Sequence, residues 1–417
     1  MTISWNKSEK NKIEALFKKE VFQSTNILNA LRQVNVLAFI DKWGPEHIVQ
    51  VYNPEIGMLG FLAIDNTILG SSLGGIRISE SLTPLEVFYL ARDTTWKCAL
   101  YNIPFGSAFA GIKANPYNAE KTRLIKAFTE KISSYISDKL ILRPDLNVNE
   151  DDMALFVETT GDTRRATGKP EKLGGIPASY GAVGYGLGIA LETSLQFIND
   201  TPKISEDLGE LKIAIQGFGK VGLGLAKFLF SRGVQIVAIS DYWGGIYSPN
   251  GIDISKVIQY SSASCEKKSI ISSKSGNPLT HQEDIYKVKC AVFVPCACEN
   301  MINQNNYSSL KANYILEGAN KGISTTAESL LKKRNCFILP DILANVGGDL
   351  CSYIEFEEKN IVDAFYLIKR KIKKTTERVL QLSAVNGLSP RTNAKEIARE
   401  ILLEIWEMND NDRSFRN

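Results

Sequence analysis

Residues 211–222 read LKIAIQGFGKVG. An apolar, β-branched run ends at Gln216 and leads straight into a turn in which Gly217, Gly219 and Gly222 stand at GxGxxG spacing. The next residues carry a helical apolar pattern, Val221, Leu225, Phe228 and Leu229, which stops at Gly233. Strand, turn and helix in this order give the glycines a mechanism. The first permits a tight turn, the second lets a pyrophosphate reach backbone N–H groups at the helix N-terminus, and the third lets helix and strand pack closely. A second apolar run, VQIVAIS, leads to Asp241, nineteen residues beyond Gly222, where a carboxylate takes the ribose hydroxyls of a dinucleotide. The expected cofactor contacts are Gly217, Phe218, Gly219, Lys220, Val221, Gly222 and Asp241, and the expected cofactor is NAD or NADP, since Lys220 adds positive charge beside the phosphates. The competing reading is a glycine turn and a loop aspartate with no ligand.

Outward from this unit, the runs KCAVFVP, ANYILEG and CFILPD alternate with helical patterns, which predicts a doubly wound parallel sheet with crossover helices. Before residue 181 helical patterns mix with short strands such as HIVQVY (47–52) and GFLAI (60–64), so a mixed α/β domain is expected there. A chain of 417 residues exceeds the roughly 250–300 that one core serves. The predicted organisation is a first domain over 1–180, a Rossmann-type dinucleotide domain over 181–390, and a C-terminal helix over 391–417 that packs back on the first. The Ser- and Lys-rich stretch 261–277 reads as a surface excursion.

Charge and cysteine usage narrow the function. Lys and Arg number 49 against 46 Asp and Glu, so no nucleic-acid or acidic membrane partner is called for, and the basic run at 369–378 reads as a solvated helix face. Seven scattered cysteines and two distant histidines, His47 and His281, argue for a reduced, cytoplasmic setting and against a metal site. Charges occupy the first 20 residues where a signal peptide has an apolar run, and no apolar stretch approaches the ~20 residues that span a bilayer.

A second glycine-rich stretch, PFGSAFAGIK (104–113), sets Phe109 among residues with almost no side chain. It reads as a tight turn whose backbone something approaches closely, either a neighbouring strand or a ligand.

The blocks LGGIR (73–77), TTWKCALYNIPFG (94–106), RPDLNVNEDDM (143–153), GFGKVG, PCACEN (295–300), EGAN (317–320) and PDILANVGGDLCSYIEF (340–356) resemble, in content and order, the glutamate, leucine, phenylalanine and valine dehydrogenase family, most closely glutamate dehydrogenase. The resemblance implies oxidative deamination of an L-amino acid to a 2-oxo acid and ammonia by an NAD(P)-linked enzyme. It also implies that the first domain binds substrate and that the chain forms a homo-oligomer, often a hexamer. Carried across, Lys97 holds the substrate α-carboxylate, Asp145 shuttles protons to and from the amino group, Gly75 and Ser352 belong to the substrate pocket, and Asn320 lies at the nicotinamide or substrate. A surface lysine, a turn aspartate and a packed serine are the alternatives at Lys97, Asp145 and Ser352.

Departures from the family gather at the chemistry. The family lysine that activates water and supports the carbinolamine oxyanion falls at Phe109, which carries no charge and moves no proton. Leu73 stands where glutamate enzymes have a lysine for the side-chain carboxylate, Tyr180 where the family has a threonine, and Asp349 where it has a valine. Asp349 either caps its helix or shares the pocket face with Ser352. In the second case an isolated anion repels a glutamate side chain. Two functions stay open: an amino-acid dehydrogenase with a rearranged site, or a catalytically impaired paralogue that binds cofactor as a regulatory or structural subunit beside an active one. A redox enzyme with an aromatic substrate stacked on Phe109 is a third, lesser reading.

Overall fold

Runs of period two and period 3.6 sort the chain into two sheets with helices packed on both. A computed structural model describes residues 40–133, 139–199, 211–262 and 269–414. The charged segment 1–20 and the centre of the 261–277 excursion lie outside the described residues. The first sheet has the order β1-β2-β4-β3-β5, from β1 (His47–Asn53), β2 (Met58–Asn66), β3 (Ser72–Ile78), β4 (Gly106–Lys113) and β5 (Leu140–Pro144). β3 pairs parallel with both β4 and β5, while β1, β2 and β4 pair antiparallel.

The second sheet contains β6 (Lys212–Gln216), β7 (Gln235–Ser240), β8 (Gly245–Tyr247), β9 (Asn277–Pro278), β10 (Val292–Pro295), β11 (Tyr314–Leu316) and β12 (Phe337–Leu339), in the order β12-β11-β10-β6-β7-β8-β9. The five strands anticipated from sequence form its parallel part, and the short β8 and β9 add an antiparallel edge. Their near-continuous apolar runs follow from burial on both faces.

Residues 106–113 form strand β4, which corrects the expectation of a tight turn there. A Cβ on Gly74 of β3 would lie 1.5 Å from the Ala108 carbonyl oxygen, and one on Gly106 would lie 2.3 Å from that of Asn66. The close neighbour that demands small residues is therefore adjacent backbone. Phe109 points from this strand into a cluster with Phe61, Val87, Phe88 and Ala91, under helix Pro84–Leu100. That helix starts at Pro84, capped by the Thr83 hydroxyl, which accepts from Glu86 N–H. Helix Pro390–Ser414 packs against it, with Arg399 over the Trp96 ring.

Candidate active site

A cavity of about 540 Å³ opens between the carboxyl ends of the strands of both sheets. Its nucleotide end is the turn after β6. Gly217 has φ +94°, where a side chain is strained, and a Cβ on Gly222 would lie 2.1 Å from the Gly217 carbonyl oxygen. At Gly219 a Cβ would meet nothing within 4 Å. Helix Lys220–Ser231 begins here with Gly219 as N-cap and no side-chain cap, so its first-turn N–H groups lack intrahelical acceptors beside open space. This fits a dinucleotide pyrophosphate. Gly219, Lys220 and Val221 line the cavity, whereas Gly217, Phe218 and Gly222 stand behind it. Lys220 reaches toward Glu150 at 3.8 Å. Asp241 lies off the cavity lining and organises its own loop: one carboxylate oxygen accepts from Trp243 and Gly244 N–H at 2.8 and 2.9 Å, the other from Ile270 N–H at 2.7 Å.

The other end brings Lys97, Asp145, Asn320, Asp349 and Ser352 to one lining. Lys97 projects from helix Pro84–Leu100, only 3% exposed, and donates to Asn320 Oδ1 at 2.6 Å. Asn345 Nδ2 donates to the same oxygen at 2.9 Å. A buried ammonium thus bridges the two sheets' elements through a neutral amide. Asp145 follows β5 and accepts from Arg77 Nε at 2.7 Å. Burial alone would raise its carboxyl, but the Arg77 guanidinium, the Leu146 backbone N–H and Arg143 outweigh that and hold it below the usual carboxylate range.

Arg77 sits on β3 between Ile76 and Ile78 and is only 7% exposed. Its Nη1 also binds Glu86 at 2.7 Å and Glu299 at 3.1 Å, and the guanidinium lies 5.2 Å from the centre of the Phe109 ring. Phe109 itself and Gly75 are absent from the lining. A Cβ on Gly75 would meet the Phe109 ring at 2.7 Å and Asp145 Cβ at 3.0 Å, so Gly75 is the gap through which ring and carboxylate approach. Leu73 is fully buried in the core and does not line the cavity; Tyr180 is exposed and bonds Glu171.

Asp349 neither caps its helix nor stands alone. Helix Gly347–Phe356 has Val346 as its N-cap with no side-chain bond. The Asp349 Oδ1 accepts from Arg143 Nη2 at 2.9 Å, and the carboxylate is 1% exposed. The expectation of an isolated anion is therefore corrected: the arginine of RPDLN neutralises it. On the same helix face Glu355 accepts from Lys169 Nζ at 2.7 Å and from the Gly168 and Ile176 N–H groups.

The sequence alone does not single out Arg77, Arg143 or Glu299, although all three lie inside the blocks that carry the family resemblance. The available signal was a charge between two isoleucines on a strand, which must find partners when buried.

Residues 45–162 match the family described as Glu/Leu/Phe/Val dehydrogenase, dimerisation domain, and residues 174–406 match Glutamate/Leucine/Phenylalanine/Valine dehydrogenase. The chain belongs to the Glu/Leu/Phe/Val dehydrogenase family. Among relatives in this dehydrogenase family, NADP-specific glutamate dehydrogenase of Saccharolobus shibatae is 34% identical over 330 residues, covering 75% of each chain. NAD-specific glutamate dehydrogenase A of Halobacterium salinarum is 32% identical over 307 residues, covering 71% of this chain and 68% of its own. In fold the chain is similar to a hetero-hexameric glutamate dehydrogenase from Thermus thermophilus in its leucine-bound form, with a TM-score of 0.78 at 24% identity over 91% of this chain and 96% of that one.

Proposed function

We propose that the protein is an NAD(P)-dependent L-amino-acid dehydrogenase whose proton-transfer step is slow. The observation that carries this reading is the Lys97–Asn320 bond of 2.6 Å, because it brings the predicted carboxylate anchor and a residue of the nucleotide sheet to one point of one cavity. In this reading Gly219, Lys220, Val221 and the N-terminus of helix Lys220–Ser231 hold the dinucleotide pyrophosphate. The nicotinamide supplies acceptance and return of the α-hydride. Lys97 holds the substrate α-carboxylate, and Asp145, kept ionised by Arg77, holds the ammonium and takes its proton.

No protonatable group occupies position 109. The cation beside its ring, Arg77, stabilises negative charge but does not give up a proton at working pH. A missing acid–base group slows such chemistry by ~10²–10⁴-fold. The test is reductive amination with ammonium, NADH or NADPH and a panel of 2-oxo acids, comparing wild type with Phe109→Lys. The expected result is slow turnover by wild type and faster turnover by the variant. A wild type at ordinary enzyme rates, with the variant no better, would refute the account of position 109.

The apolar burial of Phe109 also favours a second reading, a cofactor-binding subunit that assembles with an active paralogue. It predicts tight NAD(P)H binding, no turnover by wild type or variant, and co-assembly with an active homologue on mixing.

A further inference from the structure

Among the described residues five cationic side chains line the cavity, and their partners decide which anions a ligand can bring. Arg77 is held by Asp145, Glu86 and Glu299, Lys121 by Asp152, Arg143 by Asp349 and Lys220 by Glu150. Among the described residues Lys97 has no carboxylate within ion-pair distance; it donates to the Asn320 amide oxygen instead. The helix face that carries Asp349, Ser352 and Glu355 looks into the same space, and both of its carboxylates already have a cation, Arg143 or Lys169. A ligand therefore finds one buried cation without a carboxylate partner.

We infer that the Arg143–Asp349 ion pair is the specificity device of this site: Asp349 takes up the charge of Arg143, so the cavity accepts an amino acid with a single carboxylate and a neutral side chain. This rests on the dehydrogenase reading above and names its substrate class. The physical reason is that a second substrate carboxylate would lose its water without gaining a free cation, and would lie near the Asp349 anion. The pair is buried, with Arg143 and Asp349 side chains 15% and 1% exposed, so solvent does not screen the exclusion.

The experiment is calorimetric titration of the full chain with L-norvaline, L-glutamine and L-glutamate, with NADH present. Wild type is expected to bind norvaline and glutamine at least tenfold more tightly than glutamate. Asp349→Asn leaves the Arg143 guanidinium without its anion, and a charge-assisted hydrogen bond to the glutamate side chain should then shift the glutamate-to-norvaline ratio toward glutamate by about tenfold or more. The double variant Arg143→Met/Asp349→Val, which removes both charges, should keep the wild-type preference. It leaves no buried charge unpaired and is the control that assigns any gain to the freed guanidinium; Asp349→Ser, which frees the same guanidinium, replaces Asp349→Asn if that variant fails to fold, and an unchanged ratio in a folded Asp349→Ser overturns the inference equally. Wild type binding glutamate as tightly as norvaline, or a folded Asp349→Asn with an unchanged ratio, overturns this inference alone. Wild type that binds none of the three overturns the dehydrogenase reading along with it.

Discussion

Two stretches of this chain, GFGKVG after β6 and GSAFAG along β4, are built from the same small residues and use them in opposite ways. At Gly219 the absent side chain leaves a void that opens into the cavity; at Gly74 and Gly106, around β4, the void is filled by neighbouring backbone. One stretch keeps its N–H groups available beside a helix N-terminus, while the other spends them on a strand ladder. Small residues announce a close approach, and only the surroundings say by what.

The sharpest test exchanges the two. Gly219→Val should abolish detectable NADH binding while leaving the unfolding free energy within about 0.5 kcal/mol of wild type, since a Cβ there meets no protein atom within 4 Å. Gly74→Ala should do the reverse and destabilise by about 3 kcal/mol or more, because its Cβ would collide with the Ala108 carbonyl at 1.5 Å. Urea unfolding with fluorescence titration of NADH reads both. A Gly219→Val that binds NADH normally would break the comparison.

Arg77→Gln comes next in size. It leaves Asp145, Glu86 and Glu299 without their shared cation, and breaking such a buried network costs about 3–5 kcal/mol. It also carries a pH signature. The folded Asp145 carboxyl is held below its ordinary value of 3.8, so its contribution to stability is present above that value and is lost as pH falls through the folded one. Without Arg77 the largest of the influences that lower this carboxyl is lost, so it titrates higher and the acid limb of the stability curve should move upward. Melting temperatures from pH 3 to 7 check this.

A smaller effect is expected at Phe109→Leu, which keeps an apolar side chain but removes the ring beneath Arg77. A loss of about 1 kcal/mol with unaltered NADH affinity would confine this position to packing. The smallest is Lys220→Gln. The side chain is 45% exposed, so NADH affinity should fall only a few-fold, by about 0.3–1 kcal/mol, and the difference should vanish in high salt.

Legibility differed between the two stretches for the same reason. The nucleotide unit could be read because strand, turn and helix are consecutive and the glycines act on backbone within a few residues. β4 looked like a turn because its partners, β2 and β3, lie tens of residues away and its short side chains carry no alternation of period two. Lys97, Asp145, Ser352 and Asn320 were found through the order of the blocks, and they do meet in one cavity. Asp349 is legible as a residue of the pocket face but not as half of an ion pair, because its counter-ion lies 206 residues earlier in the chain.

By itself the sequence determined the family, the two-sheet α/β fold and the glycine turn, since backbone sterics and apolar periodicity act locally and leave a local trace. Only the tertiary structure decided which charges are already neutralised and which way Phe109 faces. A buried ion chooses its partner by distance in space, and strands β3 and β5 with helix Gly347–Phe356 bring together side chains whose letters, read in order, give no sign of one another.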